Sequence, residues 1–246
     1  MVPIGLANMG NTCYLNAALS VLIQTDWLKR KMDKGEGSPF IELVTDINTF
    51  LQTNSTHASL MLPETVKWAR RMFGSGPQCT IDVFTKIVNI PDPETLKDDC
   101  ELVSISTHKV TCTSCGNVST AVEKPTIIIA FEKKNERFEG YDCDICCKLT
   151  SANKTQVVTP TKNQNIVVVA IPRTNAHELH DYAKLITFKG FVLRGFTICV
   201  GGHHVAAVNV SNEWYIVNDE SVKNIDGSEI KNQLPKAHVM VFERIC

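Results

Sequence analysis

The stretch Gly5-Leu6-Ala7-Asn8-Met9-Gly10-Asn11-Thr12-Cys13-Tyr14-Leu15-Asn16 sets a cysteine where a loop gives way to a helix. Gly5, Asn8, Gly10 and Asn11 favour turn conformations. From Cys13 onward Leu15, Ala18, Leu19, Leu22 and Ile23 recur at helical spacing, with no glycine or proline among them. Asn11 or Thr12 is expected to cap that helix. Cys13 then falls in its first turn, where the positive end of the helix dipole favours a thiolate, the nucleophilic form of cysteine. The competing reading is a small buried apolar cysteine, and the decision rests on partners elsewhere in the chain.

A thiolate nucleophile needs an imidazole to carry its proton and a third group to orient that ring. Of the seven histidines, His57, His108, His177, His180 and His238 lie in polar or ordinary surroundings. Gly201-Gly202-His203-His204-Val205-Ala206-Ala207-Val208 is different: a double glycine leads into a β-run and leaves backbone room for a passing substrate chain. The run Trp214-Tyr215-Ile216-Val217-Asn218-Asp219 ends in two side chains able to hydrogen-bond an imidazole. If the two runs pair as a hairpin, Asn218 or Asp219 returns toward His203. On residue types alone His203 and His204 stand as alternatives for the base.

Cys112-Thr113-Ser114-Cys115 and Cys143-Asp144-Ile145-Cys146 each present two thiolates from one tight turn, half of a tetrahedral zinc site. The interval between them is long for a compact ribbon but holds a hairpin. Cys147 offers an alternative to Cys146; the repeated spacing favours Cys143 with Cys146. Four sulfur ligands close the tetrahedron, so the expected zinc is structural, and no catalytic cofactor is expected. A redox pair or unmetallated structural thiols are the competing readings. Cys79, Cys100, Cys199 and Cys246 are scattered and read as structural or incidental.

These residues must be positioned by one large domain or two small ones, since 246 residues can bury a proper core. Hydrophobic content of 43% and charged content of 21% are those of an ordinary soluble protein. A net charge of −1 gives no overall basic field for nucleic acid or an anionic membrane. No apolar run approaches the ~20 residues of a membrane span, and Met1-Val2-Pro3-Ile4 lacks the features of a signal peptide. Ten cysteines then suggest metal ligands and a reactive thiol in a reducing compartment, cytosol or nucleus.

Residues 1–98 read as mainly helical. Beyond the first helix and a polar break from Asp33 to Pro39, Ser38 and Pro39 are expected to open a helix with the stripe Phe40, Leu43, Val44, Ile47, Phe50 and Leu51. Further helices are expected over Pro63 to Phe73 and near Thr80 to Val88. Residues 99–246 are β-rich, with runs at 103–110, 118–131, 165–171, 184–189, 191–200, 204–210, 214–217 and 237–242. The polar stretches 132–140 and 151–162 read as loops or turns. This is an α+β plan, whose chemistry commonly sits in the cleft between lobes.

The Cys13 box, the paired C-x-x-C motifs, the Gly-Gly-His box and the Trp-Tyr-x-x-Asn-Asp box, in this order, resemble the ubiquitin-specific proteases. The likeness runs from Gly5 to Arg244 and includes the closing Val239-Met240-Val241-Phe242-Glu243-Arg244. It implies a single papain-like catalytic domain over 1–246, with a helical thumb, a β-rich palm and fingers carrying a zinc ribbon at about 112–146. It implies a cysteine-type deubiquitinase, Cys13 as nucleophile, His203 as general base, Asn218 as the orienting residue, Asp219 as a second acidic position, and Asn8 as the oxyanion donor. Zinc would be held by Cys112, Cys115, Cys143 and Cys146. Ubiquitin and ubiquitylated proteins are the implied partners of a monomer, without nucleic acid or membrane. Cys79 stands where the family has an acid, and His204 where it usually has tyrosine. Such departures leave open another ubiquitin-like modifier (SUMO or the interferon-induced two-domain modifier) or a silent ubiquitin-binding module.

Overall fold

A computed structural model describes residues 2–34, 40–52, 59–76, 78–87, 102, 104–122, 128–130, 136–171 and 188–245. Five helices come first: α1 (Cys13–Leu22), α2 (Asp26–Lys34), α3 (Phe40–Gln52), α4 (Pro63–Phe73) and α5 (Thr80–Ile87). Every residue of α1 from Tyr14 to Leu22 is buried, so it is a core helix wrapped on all sides rather than an amphipathic surface one. The apolar run that predicted it stops at Ile23. Thr25 turns the chain, its Oγ1 donating to the Leu22 carbonyl at 2.6 Å and accepting from the Leu28 amide at 3.2 Å.

Two buried carboxylates hold the helices from a distance. Glu243, near the chain's end, accepts from the first amides of α2, Asp26 at 2.7 Å and Trp27 at 3.1 Å, and from Arg194 at 2.8 Å. Asp46 of α3 accepts from the Glu64 and Thr65 amides at 3.0 and 2.8 Å and so caps α4. In both cases a carboxylate meets the positive end of a helix and fills donors that have no intrahelical partner. The Ser38–Pro39 start expected for α3 lies outside the described residues.

The strands are β1 (Gly5–Leu6), β2 (Ser59–Leu60), β3 (Ser104–Cys112), β4 (Val118–Val122), β5 (Ile128–Ala130), β6 (Glu136–Cys143), β7 (Lys148–Pro160), β8 (Ile166–Ala170), β9 (Phe191–Val200), β10 (His203–Val210), β11 (Glu213–Asn218), β12 (Ser221–Ile225) and β13 (Ala237–Arg244). A further helix, α6 (Gly227–Gln233), precedes β13. Seven strands form one sheet in the order β12-β11-β10-β9-β13-β8-β5, antiparallel except where β5 meets β8. α1 lies across β10 and β9. Gly195 permits that approach, because a Cβ there would sit 2.6 Å from the Ala207 carbonyl oxygen and 3.1 Å from Val21. Leu15, Leu19 and Leu22 with Ala206, Val208, Val239 and Val241 form the core between helices and sheet.

A separate four-stranded ribbon, β4-β3-β7-β6, carries both C-x-x-C pairs. Buried Gln164 stitches it to the seven-stranded sheet: it accepts from Ser104 at 2.8 Å and donates to the carbonyls of Leu102 at 3.2 Å and Ile166 at 2.7 Å. The ribbon overturns two expectations. β6 and β7 run through stretches expected to be loops, 132–140 (of which 132–135 lies outside the described residues) and 151–162. β7 is paired on both edges, by β3 and by β6, while most of its side chains are only partly buried. Backbone pairing satisfies such a strand without a core-facing apolar stripe, so the alternation that announces strands is missing. The single run expected over 118–131 is two strands in different sheets, β4 and β5; residues 184–187 of another expected run lie outside the described residues.

Candidate active site and metal centre

β9 and β10 are joined by Gly201 and Gly202, with φ of +58° and +83°, the pattern of a type I′ hairpin turn. Open space surrounds both glycines, so positive φ rather than crowding demands them. The turn delivers His203 as the first residue of β10, exposed, with its Nε2 2.6 Å from Asn218 Oδ1 at the end of β11. A carbonyl oxygen accepts, so Nε2 is the protonated nitrogen and Nδ1 is left to take a proton. His204 points to the other side of the strand, buried, its ring 6.2 Å from that of His238. The two adjacent histidines are thereby separated: His203 has the orienting amide and His204 is packed inside.

Asp219 ties the chain's start to this hairpin end. It adopts φ of +48°, uncommon for a residue with a side chain, and its surroundings fix it there. Its carboxylate accepts from Asn8 Nδ2 at 2.7 Å and Asn16 Nδ2 at 2.8 Å, while its carbonyl accepts from the Leu6 amide at 2.9 Å. Gly5 makes the approach possible, since a Cβ there would lie 2.3 Å from the Glu220 carbonyl oxygen. Asn8 Oδ1 in turn accepts from the Gly10 amide at 3.0 Å and from Thr12, shaping the loop before α1. Thr12 occupies the expected N-cap position but does not cap α1; its hydroxyl accepts from the Met9 amide at 3.0 Å. Arg70 of α4 clamps the same loop by donating to the Met9 carbonyl at 2.6 Å.

Cys13 begins α1, partly buried, three residues before Asn16 and therefore on a neighbouring part of the helix surface. Asn16 touches Asp219, and Asp219 follows the Asn218 that holds His203, so one short chain of contacts links the Cys13 helix to the His203 imidazole. Among the described contacts no hydrogen bond joins Cys13 to His203; such bonds commonly tighten on substrate binding. Asn16 and Arg70 are the residues that sequence reasoning missed. The available signal for Asn16 was an amide set among the apolar residues of a helix with no exposed face.

A second thiol–imidazole pair exists and differs in kind. Cys79 Sγ lies 3.9 Å from His238 Nε2, whose Nδ1 is 3.1 Å from Thr80 Oγ1. Burial pushes the Cys79 thiol above its ordinary value, which disfavours the thiolate. Cys79 is therefore the poorer candidate for a thiolate nucleophile.

At the ribbon's tip, Cys112, Cys115, Cys143 and Cys146 bring their sulfurs within 4.8 Å of one another. Cys112 and Cys146 are 3.9 Å apart and Cys115 and Cys143 3.7 Å, close to the ~3.8 Å edge of a tetrahedron with Zn–S bonds of ~2.3 Å. Amides of Cys115 and Ser114 donating to the Cys112 sulfur draw its thiol down to about 7. At Cys115 the Asn117 amide pulls the same way, but burial and the neighbouring sulfurs outweigh it and raise that thiol to about 11. The donor set fits a structural zinc with no open position. Cys147 is outside the cluster, exposed, with φ of +52° in the turn that folds Cys146 inward.

The model of the ubiquitin carboxyl-terminal hydrolase family matches residues 4–242, and the chain belongs to that family of cysteine-type ubiquitin hydrolases. Its fold is similar to the SAGA deubiquitinase module of Ubp8, Sgf11, Sus1 and Sgf73 bound to monoubiquitin: TM-score 0.66 at 17% identity, covering 99% of this chain and 69% of that one. The same module bound to ubiquitin aldehyde gives a TM-score of 0.65 at 17% identity, covering 99% and 70%. A yeast SAGA module structure with altered Sgf73 gives 0.62 at 14%, covering 99% and 68%. No curated protein sequence matches. The fold is the expected papain-like α+β arrangement of helical thumb, β-rich palm and zinc-ribbon fingers.

Proposed function

We propose that Cys13, His203 and Asn218, with Asn8 and Asp219, carry the family's thiol-dependent hydrolysis at the C-terminal glycine of ubiquitin. The observation that carries this assignment is the 2.6 Å contact between His203 and Asn218, set beside the network that fixes the loop before Cys13. Cys13 Sγ attacks the glycine carbonyl as His203 Nδ1 takes the thiol proton. The oxygen that becomes negative is met by the second N–H of the Asn8 side-chain amide, whose first N–H is held by Asp219, and by backbone N–H groups at the start of α1. His203 then gives its proton to the departing amine, lysine Nζ for an isopeptide. Water, deprotonated by His203, releases ubiquitin from the thioester and restores the thiol. Asn218 holds the ring in the productive tautomer throughout. Asp219 is a positioning residue, since it acts through Asn8.

The ribbon and palm are proposed to hold the body of ubiquitin, as the relatives' complexes with ubiquitin support. Zinc held by Cys112, Cys115, Cys143 and Cys146 would fasten the ribbon's tip and supply no chemistry to bond cleavage. The same reading has the protein act as a monomer, without nucleic acid or membrane, in the reducing cytosol or nucleus. The net charge of −1 and the eight described cysteines, none in a disulfide, support it.

The test is covalent capture by ubiquitin carrying a thiol-reactive group at its C-terminus, run against the wild type, Cys13→Ala and Cys79→Ala. A mass increase of one ubiquitin in the wild type and Cys79→Ala, absent in Cys13→Ala, is expected. Capture that survives in Cys13→Ala would sink the assignment. Capture by a SUMO probe in place of ubiquitin would keep the mechanism and overturn the substrate.

A further inference from the structure

A cleft of about 490 Å³ opens beside the Cys13 loop, lined by Ala7, Asn8, Met9, Ser59, Met61 and Glu220. The proposed oxyanion donor Asn8 is one wall, so whatever occupies the cleft lies next to the scissile bond. Its chemistry is mixed. Met9 and Met61 give unbranched, adaptable apolar walls, and Met61 is 51% exposed and free to receive a partner. Ser59 adds a hydroxyl. Glu220, exposed, brings a carboxylate that forms no ion pair among the described residues. The Glu220 carboxylate at the rim of a cleft walled by two thioethers suits a cationic head on a long aliphatic stem, which is a lysine or arginine side chain.

Topology says which side of the scissile bond this is. Glu220 sits in the turn between β11 and β12, at one edge of the seven-stranded sheet. The zinc ribbon joins that sheet at the opposite edge, through β8 and β5. Ubiquitin held by ribbon and palm therefore approaches from the β8–β5 side, and its tail ends at Cys13. The β12 edge is left for the other half of the substrate, the segment bearing the lysine to be released.

Resting on the proposed function above, we infer that this cleft binds the acceptor side of the isopeptide and prefers acceptors with basic residues next to the modified lysine. The stem of a flanking lysine or arginine would lie on Met9 and Met61, with its charge toward Glu220. The exposed pair sets the scale of the preference at about two- to fivefold.

The experiment uses two synthetic peptides, each carrying ubiquitin on a central lysine through an isopeptide bond and differing only in arginine or glutamate at the flanking positions. The kcat/KM for each is measured with the wild type and with Glu220→Lys, an exposed substitution that no folding contact opposes. The wild type should favour the arginine-flanked peptide by about two- to fivefold, and Glu220→Lys should reverse the order. Equal rates with the wild type, or an unchanged preference in Glu220→Lys, would overturn the assignment of the cleft. A ubiquitin aminocoumarin amide, which has no acceptor segment, separates the two levels. If the wild type cleaves none of the three substrates, the proposed function fails; if it cleaves the coumarin without discriminating the peptides, this inference alone fails.

Discussion

Replacing Asp219 with asparagine isolates what that carboxylate does. Asparagine keeps the side-chain shape and tolerates the left-handed backbone at φ of +48°. The carboxylate meets two amide donors, Asn8 at 2.7 Å and Asn16 at 2.8 Å; an amide in its place can accept from only one of them. Asn16 is 2% exposed but retains the Leu6 and Ala7 carbonyls at 3.2 and 3.3 Å, so it need not be stranded. Losing one hydrogen bond to a charged group costs about 1.5–3 kcal/mol. In a domain of this size that corresponds to a fall in Tm of about 3–12 °C. The catalytic effect is separate. An oxyanion donor is worth ~10²–10³ in kcat, and a residue that only aims that donor should cost part of this, about 10- to 100-fold. Steady-state cleavage of a ubiquitin coumarin amide should show kcat falling by that factor with KM within about threefold. The double variant with Asn8→Ala should be no slower than Asn8→Ala alone, because the two residues act through one contact. A Tm loss with kcat unchanged, or additive losses in the double variant, would refute the positioning role.

Other consequences are checked more simply. Cys143→Ser should reduce bound zinc, measured by elemental analysis, from one per chain to near zero, whereas Cys147→Ser should leave it at one. Gly202→Val places a β-branched residue at φ of +83°; about 1–2 kcal/mol of backbone strain should appear as a lower urea midpoint, with kcat falling because His203 is the next residue. Asp226 caps α6 by accepting from the Ser228 and Glu229 amides, and the Ser228 hydroxyl together with those amides holds its carboxyl below the ordinary value. A lowered folded-state pKa stabilises above the unfolded-state value and is lost as pH falls through the folded one. Asp226→Ala should therefore melt below the wild type at pH 7, and the two curves should converge in acid.

The parts of the fold legible in the sequence are those where burial is one-sided or complete. β9, bounded as expected at Phe191 and Val200, and α4, at Pro63 and Phe73, carry apolar patterns that a core enforces. The zinc ligands were legible for a different reason: C-x-x-C spacing is a local requirement of metal geometry and does not depend on what surrounds it. β6 and β7 were hidden because their pairing is made by backbone groups that every residue carries. The break between α1 and α2 was hidden as well. It depends on Glu243, more than two hundred residues away in the chain, supplying the acceptors for Asp26 and Trp27.

The site divides along the same line. On residue types His203 and His204 stood as alternatives, and the separate places of Asn218 and Asp219 came from the family resemblance rather than from spacing. Hairpin pairing alone brings either residue back toward the imidazole. What assigns Asn218 to the ring is that Asp219 is taken by the two ends of the Cys13 segment, Asn8 before the cysteine and Asn16 after it. The aspartate therefore fixes the loop and the first turns of α1 against the hairpin that presents His203. Gly5, kept small by the Glu220 carbonyl, is part of the same joint. Gly5→Ala tests it away from the reacting atoms. A methyl group 2.3 Å from that oxygen must push β1 from the turn, lengthening the Leu6–Asp219 bond and slackening both asparagines. Capture by a ubiquitin probe should slow at least tenfold while zinc content stays at one per chain. Wild-type capture rates in Gly5→Ala would mean that the joint between the chain's start and the β11–β12 turn does not align the site.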